Sequence, residues 1–170
     1  MRGMHMLCGA VMALIVWTGA ALASDLPAPE GPVLLHVTGE ISVTNQDGAA
    51  AFDLDLLRGI GAQTIETTTI WTDGVQTFEG VPLHDLTKAL GITGSALRAT
   101  AVNDYAVDIP LADAVPGGAF LAFARNGRPM SVRDKGPLWV IYPYDSAPRY
   151  QAEIYYARSI WQLDRIEVLP

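Results

Sequence analysis

Cysteine is nearly absent from this 170-residue chain, and the one thiol, Cys8, lies in an apolar N-terminal run. The rest of the chain therefore has no disulfide staple, no thiolate nucleophile and no cysteine sulfur for a metal. Its stability has to come from burial, and 50% hydrophobic residues supply the material. Charge is scarce as well: 17% of residues are charged, with 11 Lys and Arg against 18 Asp and Glu and a balance of −7. That composition offers no footprint for a phosphate backbone, so nucleic acid is excluded as a partner class and an anionic membrane is disfavoured. The high apolar fraction also excludes wholesale disorder. Histidine is limited to three, and beyond residue 23 only His36 and His84 remain, far apart and in no H-x-H or H-E-x-x-H arrangement. No G-x-S-x-G, phosphate-cradling glycine loop or EF-hand loop occurs, so no catalytic residue and no metal ligand is nominated.

What is present begins with an export signal. Arg2, the apolar stretch from Leu7 to Trp17 and the small-residue run Ala21-Leu22-Ala23 have the form of a secretory signal peptide cut before Ser24. The run is shorter than the about 20 apolar residues that a membrane span needs. The expectation is a periplasmic protein with residues 1–23 removed, Cys8 among them, and no direct membrane anchor afterwards. Residues 24–32, rich in proline and acid, read as a flexible leader, and 33–170 as one domain.

Within that domain the pattern is mixed α+β, mostly strands with a few short helices. Strands are expected at Val33–Thr38, Glu40–Thr44, Thr64–Ile70, Leu97–Val102, Tyr105–Ile109, Phe120–Arg125, Leu138–Tyr142 and Arg165–Val168. Asn103-Asp104 and Asn126-Gly127 mark hairpin turns. Leu54, Leu57 and Ile60 form a helical stripe behind a capping Asp, and Leu83, Leu86 and Leu90 form another that Gly91 ends.

Two concentrations of chemistry stand out. Arg133-Asp134-Lys135-Gly136-Pro137 opens directly onto an apolar strand, as binding loops often do. The same charges equally suit a solvated connection with weak surface pairs. The second is Tyr155-Tyr156-Ala157-Arg158-Ser159-Ile160-Trp161, with Trp71 at the end of the threonine-rich strand. Aromatic planes and a guanidinium suit a flat heterocycle. Trp139 and Trp161 read as core, while Tyr156 and Arg158 read as a pocket rim. His36 and His84 read as ordinary strand and helix residues.

In order along the chain, Thr67-Thr-Thr-Ile-Trp71, Phe78-Glu-Gly-Val-Pro-Leu-His-Asp-Leu86, Asn103-Asp-Tyr-Ala-Val-Asp-Ile-Pro110, Ala124-Arg-Asn-Gly-Arg-Pro-Met130, Lys135-Gly-Pro-Leu-Trp139, Ser159-Ile-Trp161 and Ile166-Glu-Val168 resemble the molybdopterin-binding domain of the sulfite oxidase fold. The resemblance runs from about Val33 to Val168. It implies a single domain of that fold and, in enzymes of the family, molybdenum held by a cysteine thiolate in the region equivalent to Thr67–Thr72, where this chain has none. A threonine hydroxyl does not replace a soft thiolate. The chain also looks like stand-alone periplasmic, PruR-like members that bind free pterins. That likeness implies a non-catalytic, ligand-responsive partner of a membrane sensor or cyclic di-GMP enzyme. A reduced, non-molybdenum pterin is then the expected ligand, with molybdopterin and oxidoreductase chemistry as the alternative, and a structural protein as the third possibility. The residues expected around a pterin are Thr69, Trp71, Asn103, Asp104, Tyr105, Arg133, Asp134, Lys135, Tyr156, Arg158 and Trp161, with an acid near Asn103-Asp104 or Arg133-Asp134 holding the amino-pyrimidinone edge.

Overall fold

The computed structural model describes residues 26–170, so the expected signal peptide and the start of the expected leader lie outside the described residues. Ten strands form one mixed sheet around three short helices, as the α+β pattern predicts. The strands are β1 (Leu35–Gly39), β2 (Ala50–Phe52), β3 (Gln63–Thr67), β4 (Gln76–Pro82), β5 (Ala96–Ala101), β6 (Ala106–Pro110), β7 (Phe120–Arg125), β8 (Arg128–Pro129), β9 (Leu138–Ile141) and β10 (Trp161–Leu169). The helices are α1 (Leu54–Gly61), α2 (Leu83–Ala89) and α3 (Glu153–Arg158). The main path runs β2-β1-β10-β9-β7-β4-β3, and the β5–β6 hairpin joins through β10. β10 is antiparallel to β5 along one edge and shares its other edge between β9 and a parallel β1.

Apolar β7 and β9 lie next to each other and are buried along their lengths, which fits continuous rather than alternating hydrophobic runs. Trp139, Tyr142, Tyr144, Phe52 and Phe78 are the largest fully buried side chains. Close packing explains a glycine inside β4. A Cβ on Gly80 would run into the Leu121 carbonyl of β7. At the β7–β8 turn Asn126 and Gly127 both take positive φ (51° and 74°), the two-residue hairpin geometry that their sequence demands.

Several expectations are corrected. Residues 40–44 do not form a second strand; Ser42 and Val43 instead donate their N–H groups to the Leu90 carbonyl at the end of α2. The threonine-rich strand stops at Thr67, because Thr68 turns to bond Asp145. The leader is tied down from Pro27 onward: Asn45 donates to the Pro27 carbonyl, and the Glu30 and Gly31 N–H groups donate to Asp53 Oδ2 at 2.9 and 2.8 Å. Strands β2 and β4 and helix α3 were not expected from local pattern.

Asp53 joins two of these elements, since its Oδ1 caps α1 by accepting from Leu56 N at 2.9 Å while Oδ2 holds the leader. Those backbone donors, Leu56 first and then Gly31, hold its carboxyl below the ordinary value of 3.8. A depressed native pKa means stability present above pH 3.8 and lost as pH falls through the native value. Urea denaturation of Asp53→Asn across pH should therefore show a deficit against the wild type at neutral pH that narrows steadily below about pH 4. A deficit independent of pH would remove the charge from this account.

Candidate functional site

The site grows from an irregularity in β10. Gln162 has a φ of 55°, outside strand geometry, and the pairing register shifts between Trp161 and Leu163. Its backbone N–H donates to the Lys135 carbonyl at 3.0 Å, and its carbonyl accepts from Val102 N at 2.8 Å. Its side-chain Nε2 reaches the Val132 carbonyl at 2.7 Å. The bulge thus pins the 131–136 turn and the β5–β6 turn against the start of β10. Between them opens a cavity of about 370 Å³, lined by Trp71, Asn103, Tyr105, Tyr156, Trp161 and Gln162 among others. That volume is in the range of small-ligand pockets.

Trp71 is the hub of the aromatic wall. Its ring stands edge-on to Trp139, Tyr156 and Trp161 at centroid distances of 5.7, 5.8 and 5.6 Å, a favoured arrangement for aromatic quadrupoles. The segment before it is held by its own hydroxyls and by Asp145. Thr68 Oγ1 donates to Asp145 Oδ1 at 2.7 Å, and Asp145 N donates to Thr67 Oγ1 at 3.2 Å. Thr69 Oγ1 lies 2.7 Å from Thr72 Oγ1 and accepts from Trp71 N at 3.1 Å. The Thr68 hydroxyl, with its N–H, keeps the Asp145 carboxyl below its ordinary range.

Five of the expected residues therefore line the cavity: Trp71, Asn103, Tyr105, Tyr156 and Trp161. Trp161 is a correction to its reading as core, since it is 37% exposed and forms a wall, whereas Trp139 is fully buried. Thr69 acts one step back, by holding Trp71. Lys135 sits at the rim with Nζ 4.1 Å from the Trp161 ring centroid. Burial, and then the neighbouring Arg125, lower its pKa.

The others are engaged elsewhere. Asp104 is ion-paired to Arg165 at 2.6 Å, and Asp134 accepts from the Ser131 hydroxyl at 2.7 Å. Arg133 is exposed and is not among the lining residues. Arg158, expected at the rim, turns into the protein to bond Asp113 at 2.9 Å. His84 is half-buried, with Nδ1 3.3 Å from the Ala114 carbonyl.

Gln162 was not anticipated from sequence, and only the bulge reveals it. Asn103 Oδ1 accepts from Tyr105 N at 3.2 Å, which leaves Nδ2 as a free donor; Gln162 Nε2 is spent on Val132, which leaves Oε1 as a free acceptor. The cavity is therefore lined by aromatic rings and by two side-chain amides, Asn103 with an NH₂ and Gln162 with a carbonyl oxygen that have no partner among the described residues. Among the described residues no three His, Cys, Asp or Glu side chains come together to hold a metal ion.

Behind the cavity a buried polar core fixes α3. The Tyr142 hydroxyl donates to Asp113 Oδ2 at 2.7 Å, the oxygen that Arg158 also holds. Ser159 Oγ donates to the Tyr155 carbonyl, so the Tyr144 hydroxyl, 2.6 Å away, is the donor to Ser159. Burial raises both phenols, Tyr144 to about 12 and Tyr142 further, the latter helped by the Asp113 carboxylate. The unfolded state ionises them near the ordinary value of 10.0, so their contribution to stability is complete below that pH and is lost above it. In an alkaline spectrophotometric titration, Tyr142 and Tyr144 should stay largely protonated at pH 11 while the protein remains folded. Six freely titrating phenols in a still-folded protein would contradict this packing.

The sequence model of the oxidoreductase molybdopterin binding domain matches residues 58–169. Among solved structures, the sulfane dehydrogenase SoxCD from Paracoccus pantotrophus superposes with a TM-score of 0.55 at 15% identity, over 79% of this chain and 37% of that one. That likeness is one of fold, and this chain spans well under half the length of its structural relative. No curated protein matches the chain.

Proposed function

Because the chain belongs to the oxidoreductase molybdopterin-binding domain family and brings no cysteine to its aromatic cavity, we propose that it is a stand-alone, PruR-like protein holding a reduced pterin without molybdenum. The observation that carries this is the donor set. The pterin half of the family's cofactor fits: Trp71, Tyr105, Tyr156 and Trp161 offer ring faces and edges, and Asn103 Nδ2 with Gln162 Oε1 complements a heterocycle edge that both accepts and donates.

The metal half does not fit. In the region equivalent to the family's thiolate, the hydroxyls of Thr67, Thr68, Thr69 and Thr72 are all engaged in hydrogen bonds that position the Trp71 segment. None is a substitute for sulfur. The amides of Asn103 and Gln162 also replace the carboxylates first expected at the pterin edge, since Asp104 and Asp134 are committed to Arg165 and Ser131.

In this proposal the protein works in the periplasm after loss of residues 1–23, without catalysis, as the ligand-responsive partner of a membrane cyclic di-GMP enzyme. Exposed apolar side chains at and beside the cavity, Tyr105, Trp161, Val102 and Ile70, support a surface that a partner reads together with the ligand. Signalling then needs the partner to bind the liganded and empty forms with different affinities.

A neopterin-type compound titrated into the protein should quench tryptophan fluorescence saturably. Trp161→Ala should weaken binding at least about tenfold, in keeping with about 1–3 kcal/mol per stacked ring, while Arg98→Ala on the outer β5–β6 hairpin leaves it unchanged. No saturable signal at millimolar ligand would end the pterin proposal.

Family membership itself favours a second reading, a molybdopterin-dependent oxidoreductase with unusual ligation. The two separate by elemental analysis of protein purified from its native compartment. Substoichiometric molybdenum is expected, and one molybdenum per chain would select the oxidoreductase.

A further inference from the structure

Of the 11 Lys and Arg residues, four lie within one short stretch: Arg125, Arg128, Arg133 and Lys135. Their electrostatic situation differs from that of four other arginines, whereas Arg149, which donates to the Tyr150 hydroxyl, stands alone in sequence. Arg58, Arg98, Arg158 and Arg165 each sit within ion-pair distance of a carboxylate. None of the clustered four has such a partner among the described residues, although the chain carries 18 acids. The nearest acid in sequence, Asp134, is engaged by Ser131. Like charges gathered in this way repel one another, and an acidic protein that leaves them together leaves a place for an anion.

The place is shaped as well as charged. Arg125, Asn126, Arg128, Pro129, Met130 and Asp134 line a concavity of about 510 Å³ between the β7–β8 turn and the 131–136 turn. Both turns are tied down by hydrogen bonds. Asn126 accepts from Thr77 N at 3.0 Å and donates to Gln76 Oε1 at 2.9 Å, which fixes the hairpin tip against β4. Across the concavity, Gly136 N and Asp134 N both donate to the Ser131 carbonyl, at 2.7 and 2.9 Å. Gly136 presses so closely on Met130 that no Cβ fits there. A fixed backbone removes the cost of ordering the loops on binding and leaves only the side-chain rotamers to be immobilised.

We infer that this concavity is an oxyanion-binding site, separate from the aromatic cavity, in which the Arg125 and Arg128 guanidiniums take a phosphate-class group. Guanidinium forks match the paired oxygens of phosphate or sulfate and supply charge-assisted hydrogen bonds. The oxyanion comes either free or as the tail of a ligand whose ring occupies the aromatic cavity. Lys135 links the two places, because its ammonium lies over Trp161 on one side and close enough to Arg125 on the other to feel its charge.

Inorganic phosphate titrated into the full chain at low ionic strength, followed by amide and guanidinium NMR shifts, should saturate and move Gly127, Asn126 and the Arg125 side chain together. Arg125→Gln/Arg128→Gln should weaken the affinity at least tenfold with an unchanged far-UV spectrum. Arg128→Gln alone, at an exposed position, gives the same direction in a variant whose fold is not in question. Linear shifts that do not saturate, or equal affinity in wild type and double variant, overturn the site. A second arm identifies the source: a pterin phosphate that binds more tightly than the parent pterin, with the gain lost in the double variant, marks a tail, and equal binding of the two with phosphate still saturating marks a free anion. The phosphate titration stands whether or not a pterin binds.

Discussion

The left-handed backbone at Gln162 is the constraint on which the cavity depends. In a regular strand the buried positions of β10 would alternate, but they fall at Leu163, Ile166 and Val168, three apart and then two. The register breaks on both sides of Leu163 produce that spacing. Their consequence is that Trp161 leaves the core and faces the opening while Leu163 stays inside. The same distortion turns the Gln162 peptide outward, where it bonds Lys135 and Val102 and gathers two turns that are distant in sequence. Regular pairing would satisfy those groups within the sheet and leave no cavity.

The opposite wall rests on a different device. Four threonine hydroxyls and the Asp145 carboxylate are consumed in holding Thr67–Thr72, and the ring they present is Trp71. The chain therefore spends on aromatic positioning the segment that its family's redox enzymes, by resemblance, use for a sulfur–metal bond. The two uses differ in the atom they require, since a hydroxyl that holds its neighbours by hydrogen bonds is no soft sulfur ligand for a metal. This is why the cavity reads as a place for a ring and its edge.

How much of this was legible in the sequence follows from the range of each signal. The cap of α1 by Asp53, the Asn126-Gly127 hairpin, the Asn103-Asp104 turn and the glycine after α2 are all decided by neighbours within a few residues, and they stand where expected. Strand β4 was missed because it is covered on both faces and contains Gly80 and Pro82, so neither alternation nor propensity marks it. In the site, residue types pointed to Trp71, Tyr105 and Tyr156, which the structure brings together around the cavity, since large aromatics near turns carry their own signal. Charged residues did not, because their fate is fixed by long-range partners: Arg158 is taken by Asp113 and Asp104 by Arg165, 45 and 61 residues away. Nothing local distinguishes an arginine that will be buried in such a pair from one left to face a ligand.

Composition misleads for a related reason. A balance of −7 describes the field far from the molecule, where it repels nucleic acid. Within about 10 Å, the screening distance at moderate salt, the local arrangement of charge prevails. Around the β7–β8 turn that arrangement is cationic, with Arg125, Arg128, Arg133 and Lys135 in no ion pair among the described residues. The other cations without an ion pair among the described residues, Lys88 and Arg149, stand singly along the chain, so this edge is where such charges gather. Lys135 stands on the boundary, its ammonium against an aromatic face and beside a guanidinium. A ligand with a flat ring and a negative group would satisfy both neighbourhoods at once, and its ring alone would satisfy only one.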